Sequence, residues 1–189
     1  MNRILIVDDE DSILKSLKRL LRMAPCTYGN KSFTLEVHAF TSPIAAFEAA
    51  GKEEFDLFMS DYRMPMMDGI EFLMAAKALQ PDAARLILSG YADLNALVRA
   101  VNEVGIERFI GKPWNDYDLM SAIGQLAVLQ QQFAMCQGLA NLERLEMGDT
   151  TEEALEAERL ERIEPGITEV NWGPDGSVVL DPEFLAHKE

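Results

Sequence analysis

The sequence LFMSDYRMPMMDG, residues 57–69, decides the fold. An apolar run enters it from Phe55 and ends at Asp61, and a loop punctuated by proline and glycine follows. This pattern predicts a buried strand that delivers the Asp61 carboxylate to the carboxyl edge of a sheet. Because a single strand-end aspartate is more often a loop or helix cap than a reactive group, its neighbours must decide its role.

Three other predicted strands also end in polar or charged groups. These strands and the groups after them are 3–7 with Asp8 and Asp9, 85–88 with Ser89, and 107–111 with Lys112. In a doubly wound parallel sheet all strand carboxyl ends open on one edge, where ligands bind at the point of strand-order reversal. The sequence therefore predicts that carboxylates, a hydroxyl and an ammonium meet at this edge.

Length and composition narrow the class of protein. The 189 residues allow one domain with a sizeable core plus an extension, and the net charge of −15 argues against nucleic-acid binding. Cys26, Cys136, His38 and His187 are isolated and match neither a disulfide scaffold nor a metal-binding motif. With no leader pattern and no apolar run of membrane-spanning length, we expect a cytoplasmic protein that does not enter a membrane.

Hydrophobic periodicity predicts an α/β fold. Five strands alternate with five helices joined by short loops, which is a βα repeat wound into a parallel sheet. The second strand, from Phe33 to Phe40, alternates apolar and polar residues, so we expect an edge strand with one solvated face. Expected helix starts are Asp11-Ser12, Ser42-Pro43, Gly69, Asp93 and Asn115-Asp116.

The last of these helices continues beyond the predicted sheet. An apolar stripe at three- and four-residue spacing runs to a stop signal at Met147-Gly148 through Leu119, Ile123, Leu126, Leu129, Phe133, Cys136, Leu139, Leu142 and Leu145. Either the rest of the chain folds back over this stripe or the stripe forms a dimer seam. Gly124 and Gly138 weaken a coiled-coil interpretation, so both alternatives stay open.

The C-terminal segment predicts a helix and a hairpin. Thr150 and Glu153 form a capping box that opens a short acidic helix, from Thr151 to about Glu164. Residues 168–172 and 177–180 then flank the turn sequence GPDG. An isolated hairpin is marginal in water, so it must pack on the long helix, a second subunit or a partner.

The acidic strand ends imply a cation. Asp8, Asp9 and Asp61 at one edge would raise one another's pKa, and a divalent cation removes this conflict. All-oxygen ligands favour Mg²⁺, which is commonly held by one or two carboxylates plus phosphate oxygens. A carboxylate there can act as a nucleophile toward a phosphoryl group, whose three oxygens can meet Mg²⁺, the Lys112 ammonium and the Ser89 hydroxyl with nearby backbone N–H groups.

These motifs resemble the receiver domain of two-component response regulators, the CheY-like family. The resemblance rests on Asp8-Asp9, on Asp61 with Met64-Pro65-x-x-Asp68-Gly69, on Ser89-Gly90 and on Lys112-Pro113. It implies a flavodoxin-like five-stranded sheet of order 2-1-3-4-5, the architecture for which CheY itself is a standard example. We expect a receiver domain over 1–128, an extension of its last helix over 129–148, and a tail over 149–189 that serves dimerisation or partner binding.

The resemblance also implies roles for individual residues. Asp61 would be the phospho-acceptor and Lys112 the phosphate partner. Mg²⁺ would bind Asp9, Asp61 and the backbone carbonyl of Arg63, with Asp8 assisting through water.

A second group of residues would form a switch and control its lifetime. The resemblance implies Ser89 and Phe109 as the switch pair, whose movement would remodel the face from which the long helix starts. Arg63 and Tyr91 are both large and would flank the path of an attacking water, so we expect slow self-dephosphorylation.

The expected function is signalling by protein contacts after phosphorylation. The donor would be phosphohistidine on a sensor histidine kinase or a phosphotransfer protein, the chain would lack a DNA-binding output domain, and it would catalyse only its own phosphorylation and dephosphorylation. A phosphorelay intermediate or phosphate sink is the first alternative. An enzyme whose site the tail completes is another, although the tail offers no catalytic cluster.

Overall fold

The structure is a computed structural model that describes residues 2–90, 104–148 and 150–163. Its elements are β1 (Asn2–Val7), α1 (Asp11–Met23), β2 (Cys26–Tyr28), β3 (Lys31–Phe33), β4 (Leu35–Phe40), α2 (Pro43–Ala50), β5 (Leu57–Asp61), α3 (Gly69–Leu79), β6 (Ala84–Ser89), β7 (Arg108–Gly111), α4 (Asp116–Glu146) and α5 (Glu152–Ile163). Tyr91, the helix predicted from Asp93 and the hairpin predicted within 168–180 lie outside the described residues.

Five parallel strands form the central sheet, in the order β4-β1-β5-β6-β7. Numbered among themselves, these strands have the order 2-1-3-4-5, so the predicted flavodoxin-like topology is confirmed. The strand order reverses between β1 and β5. From β1 the chain continues to β4 at one edge of the sheet, and the later strands β5, β6 and β7 follow on the other side. A ligand crevice is expected at this point of an open parallel sheet, at the strand carboxyl ends.

Helices cover both faces of the sheet. In β1, Ile4 and Ile6 face a core that includes α1 and α4, whereas Leu5 and Val7 face the core formed with α2 and α3. Both sets are almost fully buried. Such double burial explains why the central strands read as continuous apolar runs rather than alternating ones.

A small antiparallel hairpin interrupts the connection between α1 and β4. Residues 26–33 contain β2 and β3, which pair from Cys26 with Phe33 to Tyr28 with Lys31, and Gly29 turns between them at a φ of +58°. This hairpin was not predicted. Its presence also corrects the second predicted strand, which begins at Leu35 because Phe33 belongs to β3.

The hairpin formed by β2 and β3 packs against the long helix α4. A Cβ atom added to Gly124 in α4 would lie 3.1 Å from the Tyr28 Cβ and 3.2 Å from the Thr27 carbonyl oxygen. The Lys31 ammonium also donates to the Gln131 side chain over 3.2 Å. Gly124 therefore serves a close approach between the hairpin and the helix, which accounts for a glycine inside a helix at this position.

The edge strand β4 differs from its predicted pattern. It does lie at the sheet edge, but all six of its residues are half-buried instead of alternating between wet and dry faces. His38 is partly covered because its ring meets the Phe55 ring edge-on at 5.2 Å and bonds to Glu36. Side-chain contacts on the polar face therefore override the simple alternation.

Of the five predicted helix starts in the α/β repeat, three follow their caps, the one at Asp11-Ser12 does not, and the one at Asp93 lies outside the described residues. Ser42 accepts from the Ala45 amide, and Asp68 forms a complete capping box with Glu71. Asn115 accepts from two amides at the start of α4. At α1 the capping residue is Glu10, which makes no side-chain cap bond, so the predicted capping by Asp11-Ser12 is wrong.

The chain divides into two units after Cys136. In the second unit, α4 ends at Glu146 and Gly148 adopts a φ of +73°. Arg144 of α4 makes a bidentate ion pair with Glu158 of α5. Thr151, rather than the predicted Thr150, caps α5 by accepting from Ala154. Among the described helices, none is long and apolar enough to cross a membrane.

Candidate phosphoryl-acceptor site

Two neighbouring strands place Asp8 and Asp61 side by side. Val7 pairs with Ser60 in the register of β1 with β5, so the next residue of each strand emerges at the carboxyl edge of the sheet. Asp8 is fully buried and Asp61 is 6% exposed. The predicted convergence of these two carboxylates is thus a feature of the structure.

Lys112 bridges the two carboxylates. It follows β7, and its Nζ atom lies 2.7 Å from Asp8 Oδ2 and 2.5 Å from Asp61 Oδ1. Its backbone amide donates to the Ser89 carbonyl over 2.7 Å, and its peptide bond to Pro113 is cis. Residues from three strand ends, far apart in sequence, therefore share one ion-paired cluster.

Burial and pairing act in opposite directions on these charges. Burial raises the pKa of Asp8 above its usual range, although its bonds from Lys112 and the Glu10 amide act to lower it. For Lys112, burial acts to lower the pKa, but the bonds to Asp61 and Asp8 outweigh this effect and the pKa is raised. Lys112 is therefore cationic throughout the neutral pH range.

The second oxygen of Asp61 is held by the loop after β5. Its Oδ2 atom accepts a 2.8 Å bond from the Arg63 amide, while the Ser60 hydroxyl donates to the Asp61 carbonyl over 2.9 Å. Lys112 at Oδ1 and the Arg63 amide at Oδ2 together fix the orientation of the Asp61 carboxylate. Fixed geometry lowers the cost of bringing a reactive oxygen into line with an electrophile.

Gly69 backs directly onto Asp61. A Cβ atom there would lie 2.0 Å from the Asp61 carbonyl oxygen and 2.9 Å from the Ser60 hydroxyl, so no side chain can be accommodated without moving the strand end. Ser60 was not among the predicted site residues, whereas Gly69 was predicted as a helix start and, together with Asp68, as part of the motif that carries the family resemblance. The Asp68-Gly69 dipeptide was the available signal for Gly69, but spacing alone could not show which backbone it approaches.

The acidic residues do not form a three-carboxylate cluster. Asp9 is exposed, and within 2–90, 104–148 and 150–163 no three His, Cys, Asp or Glu side chains are grouped to hold a metal. The donor chemistry still suits Mg²⁺, which needs one or two carboxylates and retains several waters. Buried Asp8 and Asp61 supply hard oxygen atoms beside the exposed Asp9, so these residues are compatible with that ion.

The remaining predicted site residues lie around this cluster. Ser89 is buried at the end of β6, and Phe109 is half-buried in β7, where it pairs with Ile87. Arg63 is exposed beside Asp61. Tyr91, which we expected to flank the same site, is outside the part of the chain that the structure describes.

The topology, the carboxylate pair and the bridging lysine define a class of α/β signalling domain. Residues 4–124 match the family model of the response regulator receiver domain. The chain therefore belongs to the response regulator receiver family, as the motifs in the sequence implied.

Named relatives and solved structures agree with this assignment. The chain is 31% identical over 126 residues to the hydrogenase transcriptional regulatory protein HoxA of Bradyrhizobium diazoefficiens, and the match covers 67% of this chain and 24% of HoxA. It is 33% identical over 129 residues to the transcriptional regulatory protein FixJ of the same organism, covering 68% of this chain and 58% of FixJ. The chain thus spans less than two thirds of the length of either relative.

Two solved structures show the same fold. The signal receiver domain of an HD domain-containing protein from Pseudomonas fluorescens matches with a TM-score of 0.62 and 30% identity, covering 69% of this chain and 98% of that one. A structure described as adenylate cyclase from Rhodopirellula baltica matches with a TM-score of 0.65 and 33% identity, covering 75% of this chain and 98% of that one.

Proposed function

We propose that this protein is a phosphorylation-activated response regulator that accepts a phosphoryl group on Asp61 from a phosphohistidine. The observation that carries this proposal is the Lys112 ammonium, which lies 2.5 Å from Asp61 Oδ1 and 2.7 Å from Asp8 Oδ2. A half-buried lysine held against a strand-end carboxylate supplies a fixed cation for an incoming phosphoryl oxygen. The donor would be a sensor histidine kinase or a histidine phosphotransfer protein.

The proposed step is a transfer between two nucleophiles. An Asp61 carboxylate oxygen forms a bond to phosphorus while the bond from phosphorus to the imidazole nitrogen breaks, and the bonding electron pair stays on that nitrogen. Lys112 offsets charge on one equatorial oxygen. The Arg63 amide, bonded to Asp61 Oδ2, fixes the orientation of the nucleophile.

Mg²⁺ is the cofactor that these residues would hold. The proposed ligands are Asp9, Asp61 and the Arg63 carbonyl, with Asp8 acting through water. When bound, the ion would neutralise charge on the transferred group. The hard-oxygen donor set and the limited number of carboxylates support this choice over softer metals.

The switch and the lifetime of the modified state remain parts of the proposal. Ser89 would be drawn toward the phosphoryl group and Phe109 would move into the space it leaves. Arg63 and Tyr91 would obstruct an attacking water and slow self-dephosphorylation. Trimming both side chains should shorten the lifetime, and an unchanged lifetime would contradict this assignment.

We propose that output proceeds through protein contacts of the long helix α4, with a target protein or a second copy of the chain. The relatives HoxA and FixJ are named transcriptional regulatory proteins, and this chain matches only part of each. Its charge of −15 supports a protein target over direct nucleic-acid binding. We further propose that its only catalysis is its own phosphorylation and dephosphorylation.

The acceptor can be tested by mass spectrometry of the whole chain with Mg²⁺ and a phosphodonor. The wild type should gain one phosphoryl group at Asp61, and Asp61→Asn should gain none. The matched control Asp118→Asn removes an exposed carboxylate from the first turn of α4 and should be modified like the wild type. Lys112→Met should slow modification at least about 100-fold, by analogy with lost electrostatic partners in other transfers. Modification of Asp61→Asn at the wild-type rate would overturn the proposal.

A further inference from the structure

The β2–β3 hairpin is left unexplained by the acceptor site, because it lies near the opposite edge of the sheet. The lining of a small cavity between the sheet and α4 includes the first residues of β1, β4 and β5 and the middle of α4: Asn2, Leu35, Leu57, Leu126 and Gln130. The middle of α4 therefore lies at the amino edge of the sheet, whereas Asp61 lies at the carboxyl edge. The hairpin contacts α4 at this level, through Gly124 and Gln131.

The hairpin contacts one face of α4 over two turns. Gly124 and Gln131 are seven residues apart, so they lie on the same face of the helix, about 10 Å from each other along its axis. Thr27 and Tyr28 lie against Gly124. The Lys31 ammonium donates to the Gln131 side chain over 3.2 Å. Two separate points of contact fix both the position and the direction of α4 where it leaves the sheet.

The hairpin also contributes two side chains to the core. Cys26 and Phe33 pair across the hairpin and are 1% and 8% exposed. They belong to the core that α1 and α4 form with the sheet. Lifting the hairpin from α4 exposes this apolar surface to water and breaks the bond from Lys31, so the closed arrangement is favoured.

We propose that the hairpin is a strap, separable from the rest of the fold, that stops α4 from sliding along its axis or rotating about it. A Cβ atom added to Gly124 would lie 3.1 Å from the Tyr28 Cβ and 3.2 Å from the Thr27 carbonyl oxygen. Gly124 is the only glycine in 120–128, which is one turn of helix on either side. Any slide or rotation within one turn would therefore press at least a Cβ atom against the Thr27 carbonyl. Tilting about Gly124 needs no such exchange of residues, so α4 keeps that freedom.

The strap gives α4 a defined response to a displacement of its start. Asp116, the first residue of α4, lies about 12 Å before Gly124 along the helix axis. Cys136 lies about 18 Å beyond Gly124. A helix that tilts about Gly124 therefore moves Cys136 by about 1.5 times the displacement of Asp116, in the opposite direction. This response rests on the proposed function, because phosphorylation of Asp61 supplies the displacement, whereas the strap itself does not.

Cys26 is a native reporter of the closed strap. Its side chain is buried beneath the hairpin, and burial raises the pKa of its thiol, so the thiol reacts slowly while the strap is closed. Because α4 can slide only while the hairpin is lifted, and a lifted hairpin uncovers Cys26, the labelling rate of this thiol measures how often the helix is free to slide.

The strap can be tested on the full chain by following the reaction of Cys26 with a water-soluble aromatic disulfide. Cys136→Ser removes the exposed thiol from every sample. Gly124→Val should speed labelling at least about tenfold, because the added side chain pushes the hairpin off the helix. The matched control Gly138→Val, where no atom of the described residues lies within 4 Å of the added Cβ, should label like the parent. Lys31→Ala removes only an exposed bond, so it should fold like the parent and speed labelling about threefold.

Low concentrations of urea separate a lifted strap from unfolding of the whole domain. Local opening exposes little surface, so the fast labelling of Gly124→Val should change little with urea. A steep rise with urea would overturn the strap, as would equal labelling of the two valine variants. If Gly124→Val does not fold, Lys31→Ala decides, and labelling at the parent rate would count against the proposal.

A phosphate mimic tests the tilt. With Mg²⁺ and beryllofluoride the parent should label as slowly as without them, because tilting keeps the strap closed. Acceleration of about tenfold, equal to about 1.4 kcal/mol, would mean that α4 leaves the hairpin and would overturn the proposal. Mass spectrometry of Asp61 reports the acceptor separately. Its failure leaves the comparison of the two valine variants intact, so the two proposals are distinguishable.

Discussion

At the scale of single residues, Asp8 illustrates the cost of assembling this site. Its carboxylate is fully buried, and its pKa is raised above the usual value of 3.8 because burial outweighs the bonds from Lys112 and the Glu10 amide. The folded state therefore binds the Asp8 proton more tightly than the unfolded state does. Ionisation of Asp8 consequently lowers stability as the pH rises above 3.8, and this loss is complete above the folded-state pKa.

Asp8→Asn should therefore stabilise the protein at neutral pH. We expect the free energy of unfolding without Mg²⁺ to rise at pH 7, because the amide removes the cost of burying a charge while Lys112 keeps its pairing with Asp61. The gain should shrink as the pH falls through the raised folded-state pKa, because the wild-type carboxyl then becomes protonated in the folded state and carries no buried charge. Urea unfolding across this pH range measures it. Asp9→Asn, at the adjacent exposed carboxylate, is the control and should change stability by less than about 0.5 kcal/mol.

Gly69 leaves no room for a side chain next to Asp61. Gly69→Ala places a methyl group 2.0 Å from the Asp61 carbonyl oxygen and should destabilise the fold by about 3 kcal/mol, with slower phosphorylation of Asp61. Gly51→Ala is the matched control, because its nearest neighbour would be 3.6 Å away, and it should stabilise by about 0.5 kcal/mol. Thermal unfolding of both variants checks the pair, and equal effects would refute the close-approach argument.

At the scale of elements, long-range contacts explain what the sequence could and could not predict. The strands β1, β5 and β6 were predicted because their apolar runs reflect burial on both faces. The hairpin β2–β3 was missed because its strands have only three residues each, and its stability comes partly from packing on α4, about which local spacing carries no information. The strand ends indicated Asp8, Asp61 and Lys112, because these residues follow the apolar runs directly. They did not indicate that Gly69 lies against Asp61, since local spacing carries no information about this contact either.

The contact between the hairpin and α4 can be tested at Gly124. Gly124→Val should lower the free energy of unfolding by about 2 kcal/mol, because the added side chain would crowd the Thr27 carbonyl and the Tyr28 Cβ. The Thr27 carbonyl belongs to the backbone and cannot easily move aside. Gly138→Val makes the same change in the same helix, at a position where no atom of the described residues lies within 4 Å of the added Cβ. It should cause no loss, since valine is the better helix former. Urea unfolding with hydrogen exchange at Thr27 and Tyr28 reports the difference.

At the scale of the whole molecule, the net charge dominates the electrostatic contribution to folding stability. A charge of −15 on 189 residues disfavours the compact state through self-repulsion, while the surface ion pairs, such as Lys15 with Asp11, each contribute little. Raising NaCl from about 0.02 M to about 0.5 M should screen this repulsion and raise the melting temperature. Scanning calorimetry at both salt concentrations measures this change, and a fall in the melting temperature would mean that local ion pairs dominate.

The bridge made by Lys112 has a further consequence for how a phosphodonor approaches. In a strongly acidic protein, two unpaired carboxylates at the carboxyl edge of the sheet would repel an anion before it came within bonding distance. Because one ammonium already lies between them, half of that negative charge is cancelled in advance. For an anionic donor that approaches Asp61, as proposed above, the repulsion is therefore smallest at Oδ1, the oxygen that lies beside the Lys112 ammonium.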